Sequence, residues 1–369
     1  MQYEFSQQSN ELFEALESVI SNLDIKDGQA DDSLLRSAAA SLASTGYLNL
    51  GLSEAGESPA MFKAMEAAAA ASPSLYLKLE VSARVFGRVV ARWGSDWQKE
   101  KILSPLLFGE LLGTLALSEE SLNVDNDPLQ TIGEKNGDMV VVNGRKQFVV
   151  NGADADCIAV AGVLNGQGAL FLIPKGAKGM EVGPPISALG YESAGICSLE
   201  MKDCAVSEAQ VISGLKMDDM LDNLRFWENQ VLIGASLGLM KASFEEARVY
   251  AKSHKTGGRP IIAYQEVGFR LSDMLTLHQT AQLLAYRAGW MADSKDKEAT
   301  ALTLCAKVFA TEAAEKVSSD ALKILGAKGF ETPNPAESGF RSSKFGQIAG
   351  TSTEISRMKI GDAVLGKRK

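Results

Sequence analysis

The spacing of apolar residues divides the chain into three zones, the first of which extends from about residue 4 to residue 109. Apolar side chains recur there at helical spacing, and Leu12, Leu16 and Ile20 lie on one stripe. The alanine run 67–71 lies inside such a pattern, so it indicates close helix–helix packing rather than a disordered tract. We expect this zone to be entirely helical.

The second zone, about residues 114–214, has the character of a small β-domain. Helical periodicity disappears, Gly and Pro become frequent, and runs of β-branched residues alternate with turn signals. An Asn-Gly pair is the strongest short-range signal for a hairpin turn. Turns are therefore expected at Asn143-Gly144 and at Asn165-Gly166.

The third zone returns to helical periodicity. Three long segments are predicted at 224–254, 265–293 and 296–325, with Gly326 just past the end of the last one, as a C-terminal glycine should be. Helices of this length pack as an antiparallel bundle. The predicted fold class is α+β, in three domains: an N-terminal helical domain (1–112), a middle β-barrel or sandwich domain (113–214) and a C-terminal four-helix bundle (215–369).

Composition excludes several classes of function. The 369 residues include 37 Lys+Arg against 46 Asp+Glu, a net charge of −9, which argues against nucleic acid and against a polybasic membrane anchor. Four cysteines and two histidines show no C-x-x-C or H-E-x-x-H spacing, so no metal site is expected. The chain begins without a basic stretch followed by an apolar one, and it has no apolar run long enough to span a membrane. A cytoplasmic protein is the expectation.

Five short motifs then narrow the choice of fold. Their order and separations, together with the helical–β–helical domain order, resemble the acyl-CoA dehydrogenase family of flavoenzymes over nearly the whole chain. The motifs are Leu115-Ala116-Leu117-Ser118-Glu119-Glu120, Asn143-Gly144-Arg145-Lys146 leading to Asn151-Gly152, Lys255-Thr256-Gly257-Gly258-Arg259-Pro260-Ile261 followed by Gln265, Leu325-Gly326-Ala327-Lys328-Gly329-Phe330, and Ile348-Ala349-Gly350-Thr351-Ser352.

The resemblance implies an oxidoreductase that uses FAD to introduce an α,β double bond into an acyl-CoA thioester. In such a reaction a carboxylate removes the α-proton while the β-hydrogen leaves as hydride to flavin N5. Hydrogen-bond donors must meet the thioester oxygen where enolate charge develops. The resemblance further implies electron transfer to an electron-transfer flavoprotein, a place in fatty acid or amino acid degradation, and a homotetramer or a heteromer with a related subunit.

The position of the catalytic base is the most informative departure from the family pattern. The family's commoner base is the residue before Gly-Thr in the last motif, which here is Ala349 and cannot accept a proton. A minority, similar to isovaleryl-CoA and long-chain dehydrogenases, carries a glutamate at the start of the first bundle helix. Counting back from Leu237-Gly238-Leu239-Met240 places Glu228 there. The alternative is an ordinary exposed carboxylate in a helix's first turns, where the helix dipole favours it.

The resemblance also carries over binding residues. The backbone N–H of Ala349 is implied as the donor to the thioester oxygen. The residues implied for FAD are Ser118, Phe148, Val150, His254, Lys255, Gln265, Lys323, Gly326, Thr351 and Thr353. The residues implied for the substrate are Val81, Leu115, Asn229 and Gly350.

Two residues on the helix that closes the acyl pocket bear on the substrate. Lys78 and Glu80 are expected to face solvent, since they alternate with leucines at helical spacing. If they pointed inward, they would instead predict a polar or carboxylated acyl group.

Several positions depart from the family's pattern for holding FAD and CoA. Val150 replaces a hydroxyl, His254 and Glu192 each replace an arginine, and Lys323 replaces a glutamine. These changes keep a second hypothesis open, a FAD-poor or non-catalytic partner subunit of a heteromeric acyl-CoA dehydrogenase complex. A third is a flavin monooxygenase on the same fold that acts on a substrate other than a CoA thioester.

Overall fold

The computed structural model describes residues 5–23, 25, 31–52, 56–121 and 127–366. Its N-terminal part consists of short helices packed around one apolar core. They are α1 Gln7–Asn22, α2 Asp32–Ser44, α3 Ser58–Ala71, α4 Pro73–Glu80, α5 Gly87–Trp93, α6 Asp96–Gln98 and α7 Ser104–Leu107, with π-helical segments at Val81–Phe86 and Lys99–Leu103. The first zone is thus helical, as predicted.

Helices α4 and α5 form one continuous rod with a π-helical insertion. Ser72 caps its start by accepting a hydrogen bond from the backbone N–H of Leu75, and backbone dihedrals stay right-handed helical through Glu80 and Gly87. The insertion Val81–Phe86 therefore changes the winding without interrupting the rod. Such π insertions are rare and frequently lie at functional sites.

Within the described residues, eight strands of the middle part form one sheet in the order β6-β7-β3-β2-β4-β5-β8, with β1 beside β4. Strands β1 and β2 run parallel to β4, whereas the other pairs are antiparallel. The strands are β1 Gly113–Ala116, β2 Ile132–Asn136, β3 Met139–Val149, β4 Cys157–Leu164, β5 Gln167–Pro174, β6 Met180–Val182, β7 Cys197–Ser207 and β8 Val211–Leu215.

One of the two predicted Asn-Gly turns is present. Asn165 (φ 52°) and Gly166 (φ 76°) connect β4 to β5, and Leu164 pairs with Gln167 directly across the turn. Positive φ at both central residues is the backbone that a two-residue hairpin requires, and Asn-Gly adopts it with least strain.

The predicted turn at Asn143-Gly144 is wrong. Strand β3 continues straight through both residues, and the register against β7 shifts at this point, as at a β-bulge. Gly144 is needed because a Cβ there would approach Thr131 Oγ1 to 2.5 Å. The hairpin turn that begins β3 lies earlier, at Gly137 (φ 62°).

The C-terminal part is a helical bundle. It comprises α8 Met217–Ser253, α9 Gln265–Asp293, α10 Ala299–Leu325, α11 Pro335–Ile348 and α12 Thr353–Val364, with a small ribbon of β9 Lys255–Thr256 and β10 Arg259–Pro260 after α8. Gly326 follows α10 with φ 57°, as predicted for a C-terminal glycine. Among the described residues, no helix has both the length and the apolar character needed to cross a bilayer.

Helix α3 connects the N-terminal helices to the bundle. Its alanine-rich surface packs on α8 so closely that a Cβ at Gly238 would lie 2.4 Å from Ala69 Cβ. The alanine run is therefore packing surface, as expected. The helical–sheet–helical architecture confirms the predicted fold class.

Candidate active site

A cavity of about 500 Å³ lies where the N-terminal helices, the sheet domain and the bundle meet. Its walls come from the α4–π rod, β1, the end of β3, the loop before β7, and helices α8 and α11. Apolar side chains predominate. The residues predicted for function that line it are Val81, Leu115, Ser118, Phe148, Val150, Glu228, Ala349 and Gly350.

The π-helical insertion shapes one wall. Residues four apart lie on one face of a helix, and both Val81 and Val85 of this insertion line the cavity. The facing wall is α8. The hydroxyl of Tyr76 donates to the carbonyl of Val231 at 2.8 Å, which fixes the distance between the two walls.

Glu228 is the carboxylate in this cavity. It lies on α8, and its side chain is 26% exposed. Arg225, one turn earlier, also lines the cavity and donates from Nη1 to Glu228 Oε2 at 2.8 Å. This contact holds the carboxylate in one orientation.

The start of α8 differs from the prediction. The helix begins at Met217 rather than at residue 224, so Glu228 lies in its fourth turn. Helix-dipole stabilisation is confined to the first turn. The helix dipole therefore does not account for a carboxylate at this position, and the catalytic role of Glu228 stays a prediction.

The turn after α11 is held by an asparagine on α8. Gly350 adopts φ 62°, and a Cβ there would lie 2.7 Å from Asn229 Oδ1. Asn229 Oδ1 accepts from the backbone N–H of Thr351 at 3.0 Å, and its Nδ2 donates to the Thr351 hydroxyl at 3.1 Å. Asn229 and Thr351 are buried behind the cavity wall. Asn229 therefore holds this turn, and its predicted contact with the substrate stays a prediction.

A buried lysine holds the same turn from the opposite side. Lys307, on α10, donates from Nζ to the carbonyl of Thr351 at 2.6 Å and approaches that of Gln347 at 3.4 Å. Burial lowers the pKa of Lys307 to about 8, while the more distant carboxylates of Glu354 and Glu312 act in the opposite direction.

The backbone N–H of Ala349 has an internal acceptor. It donates to the carbonyl of Phe345 at 2.8 Å, which closes the last turn of α11. A thioester oxygen would have to share this N–H or replace the Phe345 carbonyl. The oxyanion role assigned to Ala349 stays a prediction.

A buried ion pair positions Ser118 on the sheet side of the cavity. Lys146 Nζ donates to Glu119 Oε1 at 2.7 Å and to the carbonyl of Leu117 at 3.1 Å, so the segment around Ser118 is held from within the domain. Burial lowers the pKa of Lys146 to about 8, against the attraction of Glu119. Beside Ser118, the ring of Phe148 is 52% exposed on a backbone with φ 54°.

The other residues predicted for FAD do not line this cavity. Lys323 Nζ contacts Asp320 at 3.2 Å, and His254 stacks on Tyr250 with ring centroids 4.7 Å apart. These residues lie at helix ends of the bundle or, in the case of Thr351 and Thr353, are buried in it. The set is Thr351, Thr353, His254, Lys255, Gln265, Lys323 and Gly326.

The expected solvent exposure of Lys78 and Glu80 is wrong. Lys78 is buried and its Nζ lies 2.8 Å from Asp154 Oδ2, while the fully buried Glu80 accepts from the hydroxyl of Tyr47 at 2.6 Å. Neither lines the cavity. They connect the rod to Asp154 and Tyr47, so they do not predict a polar or carboxylated acyl group.

Three site residues were missed by sequence reasoning. Arg225 could have been found, since residues three apart on a helix are neighbours and Glu228 was already a candidate. Lys307 is a lone charge within an apolar stripe of α10, which is a signal of a buried partner. Lys344, which also lines the cavity, has no such signal, because α11 alternates charged and small residues.

Comparisons with known proteins agree with this architecture. Residues 114–204 match the acyl-CoA dehydrogenase middle domain and residues 225–365 match the acyl-CoA dehydrogenase C-terminal domain. An acyl-CoA dehydrogenase of Bacillus subtilis is 32% identical over 78% of this chain and 77% of its own length. The mitochondrial short-chain specific acyl-CoA dehydrogenase of Mus musculus is 28% identical over 82% of this chain and 74% of its own length.

A solved structure agrees as well. Butyryl-CoA dehydrogenase from Megasphaera elsdenii superposes with a TM-score of 0.88 at 24% identity, covering 99% of this chain and all of that one. This chain belongs to the acyl-CoA dehydrogenase family of flavoproteins. Its enzyme class is that of the family, an oxidoreductase that acts on acyl-CoA thioesters, which confirms the resemblance seen in the sequence.

Proposed function

We propose that this chain catalyses the FAD-dependent α,β-dehydrogenation of an acyl thioester, with Glu228 as the base that removes the α-proton. One observation carries the proposal: among the described residues that line the cavity, Glu228 is the only carboxylate. A base must lie within hydrogen-bond reach of the proton that it removes, so a cavity with one carboxylate offers one candidate.

The walls of the cavity suit the acyl group of such a substrate. The lining includes the apolar and largely buried side chains of Leu77, Val81 and Val231. The hydrogen bond from Tyr76 to the carbonyl of Val231 holds the rod against α8. In an apolar surrounding, hydrogen bonds and charges act on the reacting atoms with less screening than in water. Arg225 orients the carboxylate through its hydrogen bond.

The residues on the sheet side fit a flavin. The half-exposed ring of Phe148 and the side chain of Val150 form an apolar surface beside the Ser118 hydroxyl, a combination that suits a planar ring with polar edges. Ser118, Phe148 and Val150 would hold the isoalloxazine there. Bound FAD supplies a hydride acceptor, whereas the chain supplies position and the base.

The proposal extends to partners. Electrons leave for an electron-transfer flavoprotein, and the remaining predicted FAD residues (His254, Lys255, Gln265, Lys323 and Gly326) face a flavin bound across a subunit boundary, in a homotetramer or a heteromer. The charge pairing of Lys323 with Asp320 lowers its capacity to bind phosphate, which is an observation in favour of the second hypothesis, a FAD-poor subunit.

The test uses Glu228→Gln with a matched control. Glutamine keeps the length of the side chain and an acceptor for Arg225 but cannot take a proton. Glu245→Gln is the control, because Glu245 lies on the same helix, pairs with an arginine three residues away and is remote from the cavity. The assays are flavin per chain from absorbance at visible wavelengths, turnover with a series of acyl-CoA thioesters, and exchange of the α-proton with solvent deuterium.

We expect Glu228→Gln to lower turnover and exchange by about 10²–10⁴-fold, the range for loss of a general base, with flavin content unchanged. Glu245→Gln should match the wild type. Undiminished turnover in Glu228→Gln would remove Glu228 from the mechanism. A wild-type chain that retains little flavin when expressed alone would favour the partner subunit.

A further inference from the structure

The entrance of the cavity lies between the loop before β7 and helix α11. Leu189 of the loop and Ile348 of α11 both line the cavity and are 61% and 72% exposed, so these two segments form its outer edge. The loop is pressed onto α11: a Cβ at Gly190 would lie 2.6 Å from Ser342, and the rings of Tyr191 and Phe345 are 5.2 Å apart. The loop and α11 therefore pack closely at the entrance, and apolar side chains lie at its rim.

Two cations on α11, beside this entrance, are paired with carboxylates. Lys344 lines the cavity, Arg341 lies one turn before it, and Glu192 of the loop reaches Arg341. Arg341 pairs with Glu192 and with Glu337 (2.7 Å), and Lys344 pairs with Glu315 (2.6 Å). Two cations thus face three carboxylates, on a chain whose net charge is already −9.

This charge pattern bears on the two ends of a CoA thioester. The adenine nucleotide of CoA carries phosphate groups, and proteins hold phosphates with Arg and Lys side chains that are free to bond them. A cation already paired with a carboxylate must give up that partner first. The pantetheine arm, in contrast, is uncharged, and its amides and methyl groups suit an apolar rim such as Leu189 and Ile348.

We propose that this chain recognises its substrate by the acyl-pantetheine arm and draws almost no binding energy from the nucleotide. The proposal rests on the proposed function and names its substrate class: a pantetheine thioester, free of any requirement for the nucleotide. Two sources carry this chemistry, CoA itself and the phosphopantetheine arm of an acyl carrier protein.

The first experiment compares thioesters that share one acyl group. For the purified flavin-loaded enzyme, kcat/KM is measured with the acyl-CoA, the acyl-pantetheine and the acyl carrier protein at low ionic strength. We expect the acyl-pantetheine to retain kcat/KM within about threefold of the acyl-CoA, because truncation removes no interaction made by the chain. A loss of about thirtyfold or more on removing the nucleotide would overturn the proposal.

The third substrate distinguishes the sources. A carrier-protein thioester that is turned over faster than both small thioesters identifies the carrier as the source, and one that is no better identifies CoA. Both results support recognition of the arm alone.

A charge variant tests the entrance directly. Glu192→Gln leaves Arg341 with one carboxylate instead of two, so kcat/KM should rise for the acyl-CoA by about three- to tenfold and stay constant for the acyl-pantetheine, with the gain lost in high salt. Glu245→Gln is the control, since Glu245 (46% exposed) resembles Glu192 (44% exposed) and also pairs with an arginine. Equal effects of Glu192→Gln on both thioesters would contradict the inferred role of this pair.

Binding separates this inference from the proposed chemistry. Calorimetric titration uses thioether analogues of the same two substrates, which bind without reacting. Equal affinities together with no turnover of any thioester would refute the dehydrogenase reaction and leave the inference standing. Tight binding of the CoA thioether alone would refute the inference and leave the reaction untouched.

Discussion

The contact between Asn229 and Thr351 is the most direct test of how the fold positions the site, and Asn229→Ala is the variant that removes it. The wild-type side chain satisfies the buried backbone N–H of Thr351 and its hydroxyl, at 3.0 and 3.1 Å. Alanine leaves both groups without this partner, in a place that is closed to solvent.

The magnitude follows from the two groups. A buried N–H left unsatisfied costs about 1–3 kcal/mol, and loss of a neutral hydrogen bond to the hydroxyl costs a further ~0.5–1.5 kcal/mol. We therefore expect Asn229→Ala to lower the free energy of unfolding by about 1.5–4.5 kcal/mol. Because the turn also carries Ala349 and Gly350 at the cavity, flavin-dependent turnover should fall with it.

The assay is equilibrium unfolding in urea, followed by circular dichroism, with Asn223→Ala as the control. Asn223 lies on the same helix, but it is only half-buried, and its side chain donates a solvent-exposed hydrogen bond to the carbonyl of Asp219 within that helix. The control should change stability by less than about 0.5 kcal/mol, the usual range for surface substitutions. If Asn229→Ala and Asn223→Ala unfold at the same urea concentration, the two hydrogen bonds do not hold the turn and the reasoning is refuted.

Two further predictions concern a buried charge and a close helix contact. The pKa of Lys307 is about 8 in the folded chain against an ordinary value of 10.5, so the unfolded chain binds more protons between these two pH values. The free energy of unfolding of the wild type, relative to that of Lys307→Met, should therefore rise from pH 8 to 10.5 and be constant below pH 8. A difference that falls with pH over this window would contradict the burial of the charged amine. Gly238→Ala should lower the free energy of unfolding by about 1–3 kcal/mol, because its Cβ would lie 2.4 Å from Ala69 Cβ. Gly361→Ala, in open space on α12, is the control and should be neutral or stabilising by up to ~1 kcal/mol when both variants are unfolded by heat. Equal effects of the two substitutions would show that α3 and α8 can separate at little cost.

Local signals were sufficient for much of the architecture. Helical periodicity, the Asn165-Gly166 turn and the C-terminal Gly326 act within a few residues, so the information needed to interpret them is contiguous in the chain. The order of the motifs indicated the family, and the resemblance to that family identified Glu228 as a candidate base. The structure places the Glu228 side chain in the cavity.

Where prediction failed, the deciding contact lies far away in sequence. Gly144 lies inside β3, at a register shift against β7, where Thr131, directly before β2, leaves no room for a Cβ. Lys78 is buried because Asp154 of the sheet domain pairs with it, 76 residues further on. Charged residues that alternate with leucines on a helix are expected to face solvent, and only the tertiary structure shows that Lys78 has a buried partner.

The sequence by itself determined the class of each zone, the family and the identity of the base candidate, since all of these depend on local patterns and on residue types at matched positions. Only the tertiary structure decided which side chains share the cavity, that Asn229 and Lys307 hold the turn carrying Thr351, and that carboxylates neutralise the cations at its entrance. The physical reason is the same in each case. Burial, hydrogen bonding and charge pairing are properties of neighbours in space, and the neighbours here lie far apart along the chain.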